Sequence, residues 1–255
     1  MHVPSKKRHI SVILLRWLLC ASMFNKVFMR TKLDGIKIIL DFDSTFVSVE
    51  GLEELAKITL RNNPHKSLVL KEIANITCQG MEGKICFEES LSRRVAMFNP
   101  TSRHMEELVG LLRNSVSRSI QENKQFFLEN CEDIYIVSGG FKEWIAPVVE
   151  EYGIASGNLL ANNFVYERGG KVIGIDANNP LTRSQGKVEV VRKLGLSNIV
   201  VVGDGYTDYE IKKEDAAQVF ILFTENITRE NLLDKADYIA SDWNEVLRLI
   251  SLISF

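Results

Sequence analysis

Cysteine is scarce in this 255-residue chain: Cys20, Cys78, Cys86 and Cys131 are the only four, and no two stand at a metal-ligand spacing. That scatter argues against a disulfide-framed scaffold or a Cys-rich zinc site and fits reduced thiols in a cytosolic protein. The four histidines are equally scattered, with no sign of a zinc site or a catalytic triad. Long apolar runs are missing as well. The best candidate, Ile10 to Phe24, is broken by Arg16, and it is too short and too charged for a transmembrane helix. No internal repeat or low-complexity segment is visible. Acid is the most unevenly distributed lack: residues 1–33 hold seven Lys or Arg (Lys6, Lys7, Arg8, Arg16, Lys26, Arg30, Lys32) and no Asp or Glu. Because the whole chain carries −2, residues 34–255 carry −9, and an acidic body argues against a nucleic-acid partner.

What is there is ordinary for a soluble globular protein: 45% hydrophobic and 25% charged residues, enough for one α/β domain plus a smaller inserted one. The N-terminal extension is the exception. Lys6-Lys7-Arg8 followed by an apolar stretch is like the start of a signal peptide, but no small-x-small cleavage site follows. Freedom from acids would also suit an organellar transit peptide. Two plainer readings rank first: an amphipathic helix packing on the core, or an upstream start codon with Met23 or Met29 as the true start.

The most informative stretch is Asp41-Phe42-Asp43-Ser44-Thr45, directly after the apolar run Ile36-Lys37-Ile38-Ile39-Leu40. Such a run ending in a turn-forming cluster reads as a buried parallel strand. Strand side chains alternate, so Asp41 and Asp43 point to the same face. Two acids side by side there repel and resist desolvation, a cost that a divalent cation and a nearby lysine would offset. Three further pieces follow. Ile134-Tyr135-Ile136-Val137 runs into Ser138-Gly139-Gly140-Phe141 and then a helix from about Lys142, an arrangement that can cradle an anion on backbone N–H groups. Lys187 opens another helical stretch and can place one ammonium over a phosphate. Ile199-Val200-Val201-Val202 runs into Gly203-Asp204-Gly205-Tyr206-Thr207-Asp208, where two carboxylates can reach a hard cation. Each piece alone has a bland reading as a turn, a surface loop or a solvated lysine; the ordered set does not.

These four motifs, spread from about Gly35 to the C-terminus, resemble those of the haloacid dehalogenase superfamily phosphatases, and within that superfamily the chain is similar to the phosphoserine phosphatases. The resemblance implies an α/β fold, a Rossmann-like parallel sheet with a helical cap inserted after the first strand. Residues 34–50 and 122–255 would form the core, 51–121 the cap, and 1–33 an extension. It also implies roles. Asp41 would be the nucleophile and Asp43 the acid and base; Ser138, Gly139, Gly140 and Lys187 would hold the phosphoryl group. Mg²⁺ would be held by Asp41, the Asp43 backbone carbonyl and Asp204, with Asp208 in support. Glu50 stands where the family meets the substrate ammonium. Met81, Phe87 and Arg94 reproduce the cap spacing that meets its carboxylate, and Thr207 completes the pocket. Two positions depart from the family pattern: Cys86 stands where proline is usual and Tyr206 where a small residue is usual.

Organisation between the motifs is legible from periodicity. Leu68, Leu70, Ile73, Ala74 and Ile76 mark one amphipathic helix, Phe87, Leu91, Val95 and Phe98 a second, and Met105, Leu108, Leu111 and Leu112 a third. Asn163 to Ile173 reads as a hairpin turning at Gly169-Gly170, Val219–Leu222 and Tyr238–Ala240 as late strands, and Trp243–Leu252 as a closing helix. The leading expectation is a Mg²⁺-dependent phosphoserine phosphatase serving serine biosynthesis in the cytoplasm, with a small phosphomonoester as its ligand. It has no nucleic-acid partner and no membrane span; a homodimer and organellar or secretory targeting are left open. The alternatives are another capped phosphatase or phosphotransferase of the superfamily, and a non-catalytic scaffold. Every catalytic position holds the expected chemical type, which disfavours the scaffold. Because residues 1–28 lie outside the motif-bearing body, their deletion is expected to leave phosphatase activity and the melting temperature close to those of the full chain; an insoluble or strongly destabilised product would make the segment structural.

Overall fold

The computed structural model describes residues 32–255, so the expected N-terminal extension lies outside the described residues up to Thr31. In chain order the strands are β1 (Lys37–Leu40), β2 (Ile134–Phe141), β3 (Leu159–Asn162), β4 (Phe164–Tyr166), β5 (Val172–Ile175), β6 (Ile199–Gly203), β7 (Val219–Phe223) and β8 (Tyr238–Ala240). Six of them form one parallel sheet in the order β3-β2-β1-β6-β7-β8, and β4 pairs antiparallel with β5 as the hairpin. The helices are α1 (Gly51–Thr59), α2 (Lys66–Met81), α3 (Phe87–Val95), α4 (Ser102–Arg113), α5 (Arg118–Glu122), α6 (Lys124–Asn130), α7 (Lys142–Val149), α8 (Gly186–Leu194), α9 (Tyr206–Lys213) and α10 (Trp243–Leu252). This is an α/β fold of Rossmann-like form, with helices covering the sheet. None of the described helices is long and apolar enough to cross a membrane.

The strands are apolar almost throughout because both faces of the sheet are buried. Ile38, Leu40, Val200, Val202, Ile221 and Phe223 share one apolar cluster, while the intervening Ile39, Val201, Phe220 and Leu222 belong to the cluster on the opposite face. Register then decides what happens at the carboxyl edge. Leu40 lies opposite Ile136 on one side and Val202 on the other. The chains leaving β1, β2 and β6 therefore emerge side by side, and the Asp41 N–H still donates to the Val202 carbonyl at 3.0 Å.

Between β1 and β2 the chain is helical. α4 packs both on α1 and on α7, the helix that follows β2, whereas α2 and α3 pack chiefly on each other. The α2 stripe differs from the expected one: Ile73, Ile76 and Thr77 are buried, but Leu68 is 70% exposed and Ala74 is also exposed. A helix turns about 100° per residue, which puts Leu68 about 140° round from Ile73, away from the packed face. Phe87, Leu91, Val95 and Phe98 all face inward to some degree, as do Met105, Leu108, Leu111 and Leu112. The hairpin turns at Gly169 (φ +120) and Gly170 (φ +82), a backbone region open to glycine. Its tip is tied to the start of α4: the Ser102 N–H donates to the Gly170 carbonyl and the Val172 N–H to that of Pro100.

Phe127 anchors the aromatic layer under β1. It is fully buried, with ring centroids 4.8 Å from Trp243, 5.7 Å from Tyr152 and 5.8 Å from Phe46. Phe127→Ala opens a cavity that rigid neighbours cannot refill, and it is expected to destabilise the fold by about 3–5 kcal/mol in urea unfolding. A change under about 1 kcal/mol would mean the layer collapses to fill the space.

Candidate active site

Asp41 directly follows β1 and is 5% exposed; Asp204 and Asp208 follow β6 and are buried, the first in the turn and the second in the first turn of α9. Each offers one carboxylate oxygen within 4.8 Å of the others. Gly203 makes the approach feasible: a Cβ there would stand 2.3 Å from Asp208 Cγ. Lys187, from the first turn of α8, bridges the cluster with Nζ 2.8 Å from Asp41 Oδ1 and 2.7 Å from Asp208 Oδ1. Burial alone would lower the lysine's pKa, but the charges of Asp208 and Asp41 outweigh it and hold the ammonium well above its usual range. Asp208 is pushed up to about 8, first by burial and then by Asp41. Asp204 is also raised by burial, although Arg229 donates to its Oδ2 from Nε at 2.9 Å and from the terminal nitrogen at 2.8 Å.

Asp43 stands apart from that cluster. Its Oδ1 accepts the Gly51 N–H at 2.7 Å, and burial, with Asp41 adding, pushes the carboxyl up to about 7 despite that hydrogen bond. A carboxyl so placed holds a proton near neutral pH and can give it up, which suits a group that must act first as acid and then as base. Ser138, Gly139 and Gly140 form the mouth of β2, where the Gly140 N–H donates to Ser138 Oγ at 2.9 Å. Gly139 cannot carry a side chain here, since a Cβ would meet the Phe87 ring at 2.5 Å. Glu50 accepts from Ser44 Oγ at 2.7 Å and is pushed up to about 8, chiefly by burial. Its Oε1 lies 3.8 Å from Arg229.

Arg94 reaches the same cavity from α3. It is buried, and its guanidinium donates to the Ser90 carbonyl and to Thr77 Oγ1. Among the described residues no carboxylate forms an ion pair with it, and burial lowers its pKa while Glu50 and Asp43 oppose that effect from a distance. Asp41, Asp43, Glu50, Arg94, Ser138, Gly139, Gly140, Lys187 and Thr207 thus line one cavity, with Leu52, Phe87, Leu91 and Phe141 supplying its apolar wall. Met81 is the last residue of α2; its side chain lies outside the described residues. The sequence reading missed Arg229, which locks Asp204 from the loop after β7. A signal existed: that loop leaves the same sheet edge as the three motif loops. Thr45, read only as part of the first motif, donates to Asp204 Oδ1 at 3.1 Å and ties the two loops together.

The donor set suits a hard divalent cation. Asp41, Asp204 and Asp208 offer only oxygen and gather three carboxylates in a buried space against two cations, Lys187 and Arg229. No ion is present.

A family model of haloacid dehalogenase-like hydrolases matches residues 38–211. The chain belongs to that family. It is 32% identical over 206 residues to a chloroplastic phosphoserine phosphatase of Arabidopsis thaliana, covering 79% of this chain and 67% of that one. Among solved structures it resembles a phosphoserine phosphohydrolase-like protein from Francisella tularensis subsp. tularensis SCHU S4, at 32% identity and TM-score 0.77, covering 84% of this chain and 99% of that one. A substrate-bound phosphoserine phosphatase complex matches at 26% identity and TM-score 0.67, covering 84% and 98%. The chain is therefore an enzyme of the hydrolase family.

Binding of a cation to the folded state alone must raise the melting temperature. Mg²⁺ at about a hundredfold above its Kd stabilises by about 2.7 kcal/mol. We expect that rise in a thermal melt, and its loss in Asp204→Asn; an unaltered rise in the variant would place the cation elsewhere.

Proposed function

We propose that this enzyme hydrolyses L-phosphoserine to L-serine and phosphate with Mg²⁺, through an aspartyl-phosphate on Asp41. Arg94 is the observation that carries the substrate choice. A buried guanidinium without a carboxylate partner is unfavourable, so a cavity that keeps one is built for an anionic group to arrive. The phosphoryl oxygens have their own station at Ser138, the Gly139 and Gly140 backbone and Lys187, which leaves Arg94 for a second anion on the substrate. A carboxylate fits, because the planar guanidinium can grip it with two parallel hydrogen bonds. Glu50 lines the same cavity and would ionise against an ammonium. The similarity to phosphoserine phosphatases supports the same reading.

In the proposed reaction Asp41 attacks phosphorus, and the serine oxygen leaves with the proton held by Asp43. Water then attacks the aspartyl-phosphate, gives its proton to the Asp43 carboxylate and frees phosphate, restoring Asp41. Oδ1 of Asp41 is already engaged by the Phe42 N–H at 2.7 Å and by Lys187, an arrangement that leaves Oδ2 for the attack. Lys187 and Ser138 meet charge that builds on the phosphoryl oxygens. Mg²⁺, held by Asp41, the Asp43 carbonyl, Asp204 and Asp208, would supply further positive charge to those oxygens. The helices of residues 51–121 act as the cap, with Phe87, Leu91 and Arg94 of α3 closing over the cavity and excluding water.

A pocket of this kind rejects substrates that leave its charges unpaired. kcat/KM is expected to fall about tenfold or more from phosphoserine to phosphoethanolamine, which lacks the carboxylate, equivalent to about 1.4 kcal/mol. Arg94→Ala should erase that preference while slowing an aryl phosphate less, and Asp41→Asn should abolish turnover of every substrate. Equal rates on both phosphomonoesters would assign the site to a different one.

A further inference from the structure

Tyr206 occupies the motif position where the resemblance expects a small residue, and the structure gives its ring a definite neighbour. The turn joining α2 to α3 (residues 82–86) places Gly83 over the ring: a Cβ built on Gly83 would lie 3.4 Å from both Tyr206 Cγ and Cδ1. Gly83 holds φ +72, and its N–H donates to the Gly80 carbonyl while the Lys84 N–H donates to that of Gln79, so the turn is a tight cap on α2. On the core side Tyr206 packs on the apolar cluster beneath α9 and stands 5.8 Å, centroid to centroid, from Tyr209. The ring thus lies between that apolar cluster and the turn.

What hangs from that turn matters for binding. Phe87 begins α3 four residues after Gly83 and meets Gly139 at the mouth of the phosphate cradle; Arg94 lies two turns further along the same helix. α3 cannot settle independently of α2, because Gly80 and Ser90 stand close enough that a Cβ on Gly80 would lie 2.8 Å from Ser90 Oγ. Thr207, next in the chain after Tyr206, faces the cavity from the other side of the same seat.

We propose that Tyr206 is a positioning residue: its ring is the seat on which the turn between α2 and α3 rests, and it fixes the depth at which Arg94 meets the substrate. This rests on the proposed reaction, in which Arg94 binds a group beyond the phosphate. The contact is made by the ring face, so the hydroxyl is dispensable. Removing the ring lets the turn drop or lift, and binding through Arg94 suffers before the chemistry at Asp41 does.

Tyr206→Ala and Tyr206→Phe test this in the full chain. Tyr206→Ala is expected to raise KM for phosphoserine about tenfold or more with kcat within about threefold, to change kcat/KM for an aryl phosphate less than threefold, and to speed amide hydrogen exchange in residues 79–88. Tyr206→Phe should match the unmodified protein in all three. If Tyr206→Ala does not fold, Tyr206→Leu carries the same comparison, since a branched aliphatic side chain cannot reproduce the flat seat. An unchanged KM, a tenfold loss shared by the aryl phosphate, or unchanged exchange in the turn would overturn the proposal. Should the unmodified protein fail to turn over phosphoserine, the proposed substrate falls, and exchange in residues 79–88 still decides whether Tyr206 is the seat.

Discussion

Lys187 sits between two carboxylates from different strand exits, 2.8 Å from Asp41 and 2.7 Å from Asp208, in a place almost closed to water. The site is organised around that bridge. Without it, Asp41 and Asp208 would lie close together in the protein interior with no cation between them. Breaking a buried pair of this kind costs about 3–5 kcal/mol, because the partner charge stays buried. Arg229 does for Asp204 what Lys187 does for the other two, and Thr45 adds a neutral hydrogen bond. Asp43 stands two residues from Asp41 with its carboxyl pushed up to about 7, chiefly by burial. Two acids two residues apart thus have different surroundings: Asp41 touches Lys187, whereas Asp43 accepts the Gly51 N–H.

The sheet is what lets those groups meet. Parallel strands with right-handed crossovers all deliver their loops to one edge, and the β1–β6 register sets Asp41 beside Gly203. The helices between β1 and β2 then supply the opposite wall of the cavity. They are not uniform in attachment: α4 packs on α1 and α7, while α2 and α3 pack chiefly on each other, with α2 also against α1. The hairpin of β4 and β5 grips the chain as it returns from α3, through Pro100 and Ser102. The α2–α3 pair is the part that carries Arg94 to the site.

Much of this was legible in the chain itself, for definite reasons. Strand exits announce themselves because a buried parallel strand must be apolar on both faces and then meet a turn, so Leu40-Asp41, Val137-Ser138 and Val202-Gly203 stand out. The closing helix Trp243–Leu252 and the glycine hairpin were equally plain, since their signals are local. The α2 stripe was less so: Leu68 and Ala74 look apolar in the sequence but face away from the packed side. Periodicity reports which residues share a face, and only a neighbour decides which face is buried.

By itself the sequence determined the residue types and their order: acids, hydroxyl, lysine and glycines placed where a chain leaves a strand, in an order that names the family. Tertiary structure alone decided the pairings. Arg229 joins Asp204 across 25 residues of sequence, Ser44 meets Glu50 through a turn, and Tyr206 of α9 lies under Gly83 of the turn between α2 and α3. Charge pairing and ring contact depend on distances of a few ångströms between groups far apart along the chain. No local pattern encodes those distances; sheet register and helix packing set them.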